Sequence, residues 1–160
     1  GGPTRVEAKN FTQTKAKTYN APPHYEVHCE YAGGIRTSMG PHNTMGMKVI
    51  GSEGWVHVTR GKITCSKPAL LKPDFNPGPF RGYLSPGHTR NFLDCVKSRK
   101  ETICPAETAH RSITPGHLGY VSNTLGRALK WDAKKEQVTG DTEAQKLLTQ
   151  MTHRKPWTLG

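Results

Sequence analysis

No run of about 18 apolar residues occurs anywhere in the 160-residue chain, which excludes a membrane-spanning helix. There is no G-x-G-x-x-G and no P-loop, so the strand–turn–helix cradle that receives a pyrophosphate is not encoded here. No G-x-S-x-G or Cys–His signature marks a nucleophile. The four cysteines, at 29, 65, 95 and 104, include no C-x-x-C, and a chain of this length needs no disulfide staples. They read as small buried hydrophobes. Acidic residues are scarce, 12 against 23 Lys and Arg, and the net charge of +11 raises the question of a polyanion partner. The cations are scattered from Arg5 to Lys155, however, with Lys97-Ser98-Arg99-Lys100 as the densest cluster. No RNA-recognition aromatic signature, zinc-finger spacing or basic zipper accompanies them, so neither a nucleic-acid nor a membrane partner is expected. No signal peptide is visible, and Gly1-Gly2-Pro3 reads as an internal point of a longer protein or a remnant of cloning. The expectation is a soluble chain, cytoplasmic or exported.

What is present is enough for one real core. A globular chain of this length hides roughly 70% of its extended surface. Only 33% of residues are hydrophobic, but three Trp, five Tyr and four Phe supply bulk. Strand signals fill the first two-thirds. Arg5–Asn10 alternates weakly, and residues 12–23, with two prolines, form a connector. In Tyr25–Tyr31 apolar residues alternate with His24, Glu26, His28 and Glu30, a period of two with one polar face. Register arguments set the turn after it. A three-residue loop with Gly34 left-handed pairs Tyr31 with Ile35, Val27 with Met39, and Glu30 with Arg36, which keeps apolar on apolar and adds a cross-strand ion pair. Met47–Ile50 reads as another strand ending at the turn Gly51-Ser52-Glu53-Gly54. A second hairpin, Trp55–Thr59 and Lys62–Cys65 about Arg60-Gly61, pairs Val58 with Ile63 and Val56 with Cys65 as an inner face; Trp55, His57, Thr59, Lys62 and Thr64 lie outward.

Residues 67–87 are rich in proline and glycine and predict a surface crossing. Helices follow. Ser85-Pro86 reads as an N-cap and first-turn proline for a helix over Thr89–Ser98, with Phe92, Leu93 and Val96 inward. Pro105 opens a second helix near Ala106. Pro115 interrupts it, and Leu118, Val121 and Leu125 carry its stripe to a stop at Gly126. Leu129-Lys130-Trp131 predicts a short strand, and Asp141 caps a last helix with Leu147 and Leu148. Arg154–Trp157 predicts an extended tail with one large anchor. The reading is α+β: a mostly antiparallel open sheet of about five or six strands, with helices packed on one face. Residues 1–24 form an N-terminal strand and connector, and residues 25–160 the main domain.

Candidate chemistry is sparse. His24 and His28 point the same way along a strand but stand roughly 13 Å apart at ~3.3 Å per residue, too far to chelate one ion, so no metal site is expected. Glu107, His110 and Arg111 share one helix face at i, i+3 and i+4, and His88 and Arg90 open the preceding helix. His88, Arg90, His110 and Arg111 are the candidates for lining or bracing a substrate pocket; a surface ion-pair cluster is the competing reading of the second-helix group.

The helices also carry a resemblance. Asn91 to Lys100, Cys104-Pro105-Ala106-Glu107, His110-Arg111-Ser112, His117-Leu118-Gly119, Leu125-Gly126-Arg127, Leu129-Lys130-Trp131-Asp132, Asp141, Glu143-Ala144, Leu147-Leu148 and Pro156-Trp157 resemble, in that order, a bacterial branch of the glucose–fructose oxidoreductase / inositol dehydrogenase family. Gly51–Trp55 and Arg60-Gly61 are similar to the same branch. The resemblance implies a C-terminal substrate and oligomerisation domain behind an N-terminal Rossmann domain, which would be its partner within one polypeptide and would hold NAD or NADP. It implies hydride transfer to or from a sugar or cyclitol, and homo-oligomers through the polar sheet face. The family's catalytic lysine, usually in Glu-Lys-Pro, and its Asp-x-x-x-His pair do not occur here; Lys67-Pro68 follows Ser66 at a hairpin exit and is a decoy. This chain is therefore expected to hold no cofactor and no catalytic residue of its own. The alternative is a stand-alone scaffold that reuses the domain to bind carbohydrate or protein.

Overall fold

The computed structural model describes residues 2–12, 14–15, 18, 21–72, 83–150 and 156. They contain eight strands and three α-helices: β1 (Arg5–Thr12), β2 (His24–Glu30), β3 (Arg36–Met39), β4 (Met47–Gly51), β5 (Gly54–Thr59), β6 (Lys62–Cys65), α1 (His88–Ser98), α2 (Ala106–Leu125), β7 (Leu129–Asp132), β8 (Gln137–Val138) and α3 (Thr142–Thr149). Every strand pair among the described residues is antiparallel. The α+β class stands as expected. The strands divide, though, into a five-stranded sheet of order β3-β2-β1-β7-β8 and a three-stranded sheet β4-β5-β6, where a single sheet of five or six was expected. The chain forms two compact units, one of Gly1–Asn43 with Ala106–Gly160, the other of Thr44–Pro105.

In the first unit the weakly alternating N-terminal segment is the central strand. β1 pairs Val6 with Cys29 of β2 on one side and with Leu129 of β7 on the other, a partner more than a hundred residues away. Its pairing with β2 shifts between Lys9 and Thr12, where Asn10 takes a left-handed φ of 51°. The first hairpin has the expected register: Val27 faces Met39, Glu30 faces Arg36, and the Tyr31 amide donates to the Ile35 carbonyl at 2.8 Å. Gly33 and Gly34 both adopt positive φ, the conformation a short loop here demands of residues without a Cβ. The expected Glu30–Arg36 ion pair does not form. Arg5 from β1 reaches Glu30 first, at 3.2 Å, a neighbour no local pattern announces.

α2 lies across β1 and β2, and its buried stripe of Pro115, Leu118, Gly119, Val121 and Ser122 meets Val6, Val27, Cys29 and Leu129. Gly119 permits the approach: a Cβ there would sit 2.5 Å from Cγ2 of Val27. The helix runs unbroken through Pro115, which leaves the Arg111 carbonyl without its usual i+4 donor. It ends as expected at Gly126 (φ 65°), where Arg127 N–H donates to the Ser122 carbonyl and Gly126 N–H to that of Asn123, a Schellman closure. Ser122 is 1% exposed, and its hydroxyl accepts from the Ala8 amide (3.0 Å) and donates to the Arg127 carbonyl (2.7 Å). Along β1, the pairing with β7 covers Arg5 and Val6, so beyond that point Ser122 supplies the acceptor that a longer β7 would have provided. Asp141 caps α3 as expected, accepting from Ala144 N–H at 3.0 Å; Ala144 and Leu148 face the core while Leu147 is half exposed.

The second unit departs further from expectation. Its hairpin has the predicted register, Val58 opposite Ile63 and Val56 opposite Cys65, and β4 adds Met47 and Val49 to the same face. That face is not an inner one. Met47, Val49 and Ile63 are 54–63% exposed, and neither Val56, Val58 nor Cys65 is buried. On the other face Lys48 lies 4.4 Å from the ring centroid of Trp55. In α1 the stripe Phe92, Leu93 and Val96, expected inward, is about half exposed, and the residue that faces in is Asn91. Periodicity shows that a face is apolar; it does not say which element covers it. Of the four cysteines, all free, only Cys29 is buried, and burial pushes its thiol pKa up. The segment expected to cross the surface contains a 3-10 turn at Pro68–Leu71, and its residues 73–82, like the predicted tail apart from Pro156, lie outside the described residues.

Candidate functional site

Pro105 and the first turns of α2 bring Glu107, His110 and Arg111 onto one face, as the spacing requires. Opposite them is the β7–β8 turn. Asp132 builds it by accepting from the amides of Lys134 (2.9 Å) and Lys135 (3.0 Å), bonds to the charged form that hold its carboxyl below the usual range, Lys135 contributing most. Glu136 follows with φ 55°, a left-handed conformation that few residues other than glycine and asparagine adopt. Its carboxylate receives His110 Nε2 at 3.1 Å and lies 3.6 Å from Arg111 Nη2. Arg111 also donates to the Ala133 carbonyl (3.0 Å) and pairs with Glu107. His110 and Arg111 thus meet on one acceptor and clasp the turn to the helix. The recess beside them, lined by Gly2, Arg111, Thr114, Trp131 and Glu136, has a volume of about 10 Å³, room for one water at most and far less than a sugar ring needs.

His88 and Arg90 stand in the other unit, on the first turn of α1. The helix N-cap is Gly87 (φ 143°), without a side-chain cap bond, so Ser85 is not the cap. Its hydroxyl instead accepts from the Gly87 amide at 3.3 Å, because the helix begins two residues later than a Ser85 cap would place it. Arg90 pairs with Asp94 one turn on, at 3.0 Å, and both side chains are exposed. The buried polar residue of this helix is Asn91, 7% exposed, which donates to the Tyr83 hydroxyl (2.7 Å) and accepts from the Ile103 amide (2.9 Å). Neither Asn91 nor Ser122 stands out in the sequence. The available signal is a polar residue within a turn of apolar helix positions, Phe92 and Leu93 for one, Leu118 and Val121 for the other.

The polar face of the five-stranded sheet is a dense ion-pair field. Glu26 accepts from Asn10 (2.8 Å), meets His28 at 2.8 Å and His42 at 3.6 Å, and its carboxyl pKa is lowered, chiefly by the Asn10 bond. Arg5 bridges Glu7 (2.9 Å) and Glu30, and Lys9 approaches Glu7 at 3.6 Å. At the far end of α2, Arg127 grips Asp141 through two bonds, at 2.8 and 3.0 Å, and Glu143 at 2.7 Å. Arg127, with the Ala144 amide, holds the Asp141 carboxyl down at about 2. Among the described residues no group of three or more His, Cys, Asp or Glu is placed to hold a metal ion, and no helix is long and apolar enough to cross a membrane.

Residues 80–159, half of the chain, match the family described as "Oxidoreductase family, C-terminal alpha/beta domain". No curated protein and no solved structure matches the chain. The matched span contains α1, α2, β7, β8 and α3, and with them the Arg111–Glu136 clasp and the Arg127–Asp141 grip. The chain belongs to the glucose–fructose oxidoreductase / inositol dehydrogenase (Gfo/Idh/MocA) oxidoreductase family and carries its C-terminal domain.

Proposed function

We propose that this chain is the substrate-side and assembly domain of an NAD(P)-dependent sugar or cyclitol oxidoreductase, completed by an N-terminal Rossmann domain of the same polypeptide. The observation that carries the reading is the family match over residues 80–159. The antiparallel pairing of every described strand supports the division of labour, because a dinucleotide is held at a parallel βαβ crossover and the described residues offer no such cradle. They do not fit the nicotinamide cofactor. In the complete enzyme the cofactor supplies the hydride acceptor or donor, and this domain supplies walls and orienting hydrogen bonds.

Under this reading each unit offers its own candidates for contact with substrate or for bracing such a contact, His110 and Arg111 in the first and His88 and Arg90 in the second. For His110 and Arg111 the role is bracing, since Glu136 and the Ala133 carbonyl already engage them. The charged face around Glu26 and Arg5 is the proposed subunit contact of a homo-oligomer, since closed symmetric assemblies are the common form of soluble oligomers. The test is to purify the full reading-frame product and the 160-residue chain side by side. Reduction of NAD or NADP by the full-length protein with sugars or cyclitols, and no dinucleotide binding by the chain alone in calorimetry, is the expected pair of results. Micromolar NAD(H) or NADP(H) binding by the chain itself, or a full-length product that binds neither cofactor, overturns the proposal.

A further inference from the structure

We draw no further inference here: the strongest candidate, the uncovered apolar face of the three-stranded sheet formed by Met47, Val49, Val56, Val58 and Ile63, carries nothing because nothing in the structure shows what covers it.

Discussion

Replacing Ser122 with alanine removes one oxygen from the most buried polar position in the first unit. The hydroxyl it deletes joins the unpaired edge of β1, at the Ala8 amide, to the C-terminal turn of α2, at the Arg127 carbonyl. Ser122 is 1% exposed, so water cannot take its place. A buried donor left without a partner costs about 1–3 kcal/mol. The Arg127 carbonyl lies near the exposed helix end and regains solvent, so the net loss is set by Ala8 and comes to about 2 kcal/mol. With a urea slope of about 2 kcal/mol per molar for a chain of this size, the unfolding midpoint should fall by about 1 M. Amide exchange supplies the local readout: Ala8 should lose protection in the Ser122→Ala chain while Val27, on the core side of β2, follows only the global change. A midpoint shift below about 0.3 M, with Ala8 still protected, would refute the argument that this hydroxyl closes the strand edge.

Gly119→Ala should destabilise the chain by about 1–3 kcal/mol in thermal or urea unfolding, because the new methyl overlaps Val27 and the gain in helix propensity, about 1 kcal/mol, offsets only part of the strain. A stabilised variant would mean that α2 does not approach β2 this closely. Asn91→Ala strands the Ile103 amide, while the half-exposed Tyr83 hydroxyl keeps the Glu101 carbonyl, and should lower stability by about 1–3 kcal/mol, with exchange at Ile103 accelerated; unchanged protection there would refute the assignment. The Asp141 carboxyl, held near 2 in the folded chain against about 3.9 unfolded, takes up a proton on unfolding, so its stabilising effect is complete above about pH 4 and is lost as pH falls toward 2. Asp141→Asn keeps a competent helix cap but abolishes this dependence, and melting temperatures between about pH 2 and 5 should fall less steeply than in the parent chain; parallel curves would count against it. In the proposed full-length oxidoreductase, Arg111→Ala should reduce kcat/KM several-fold by freeing the β7–β8 turn, and kinetics identical to the parent would remove Arg111 from the proposed bracing role.

Features that depend on neighbours within a dozen residues are legible in the amino-acid order alone. Both hairpin registers follow from period-two alternation and from the glycines that permit tight turns, which set Val27 opposite Met39 and Val56 opposite Cys65. So do the Asp141 cap, the stop at Gly126 and the shared face of Glu107, His110 and Arg111, all of them consequences of local backbone geometry. Long-range packing settled the rest. It makes the weak N-terminal strand central, brings β7 beside it, gives Glu30 to Arg5 instead of Arg36, and gathers His110 and Arg111 on Glu136. It also leaves the apolar faces of β4–β6 and α1 uncovered while Asn91 and Ser122 go inside. The reason is physical: an amphipathic pattern states which face would gain by burial, whereas the partner is chosen by contacts between segments far apart in the chain.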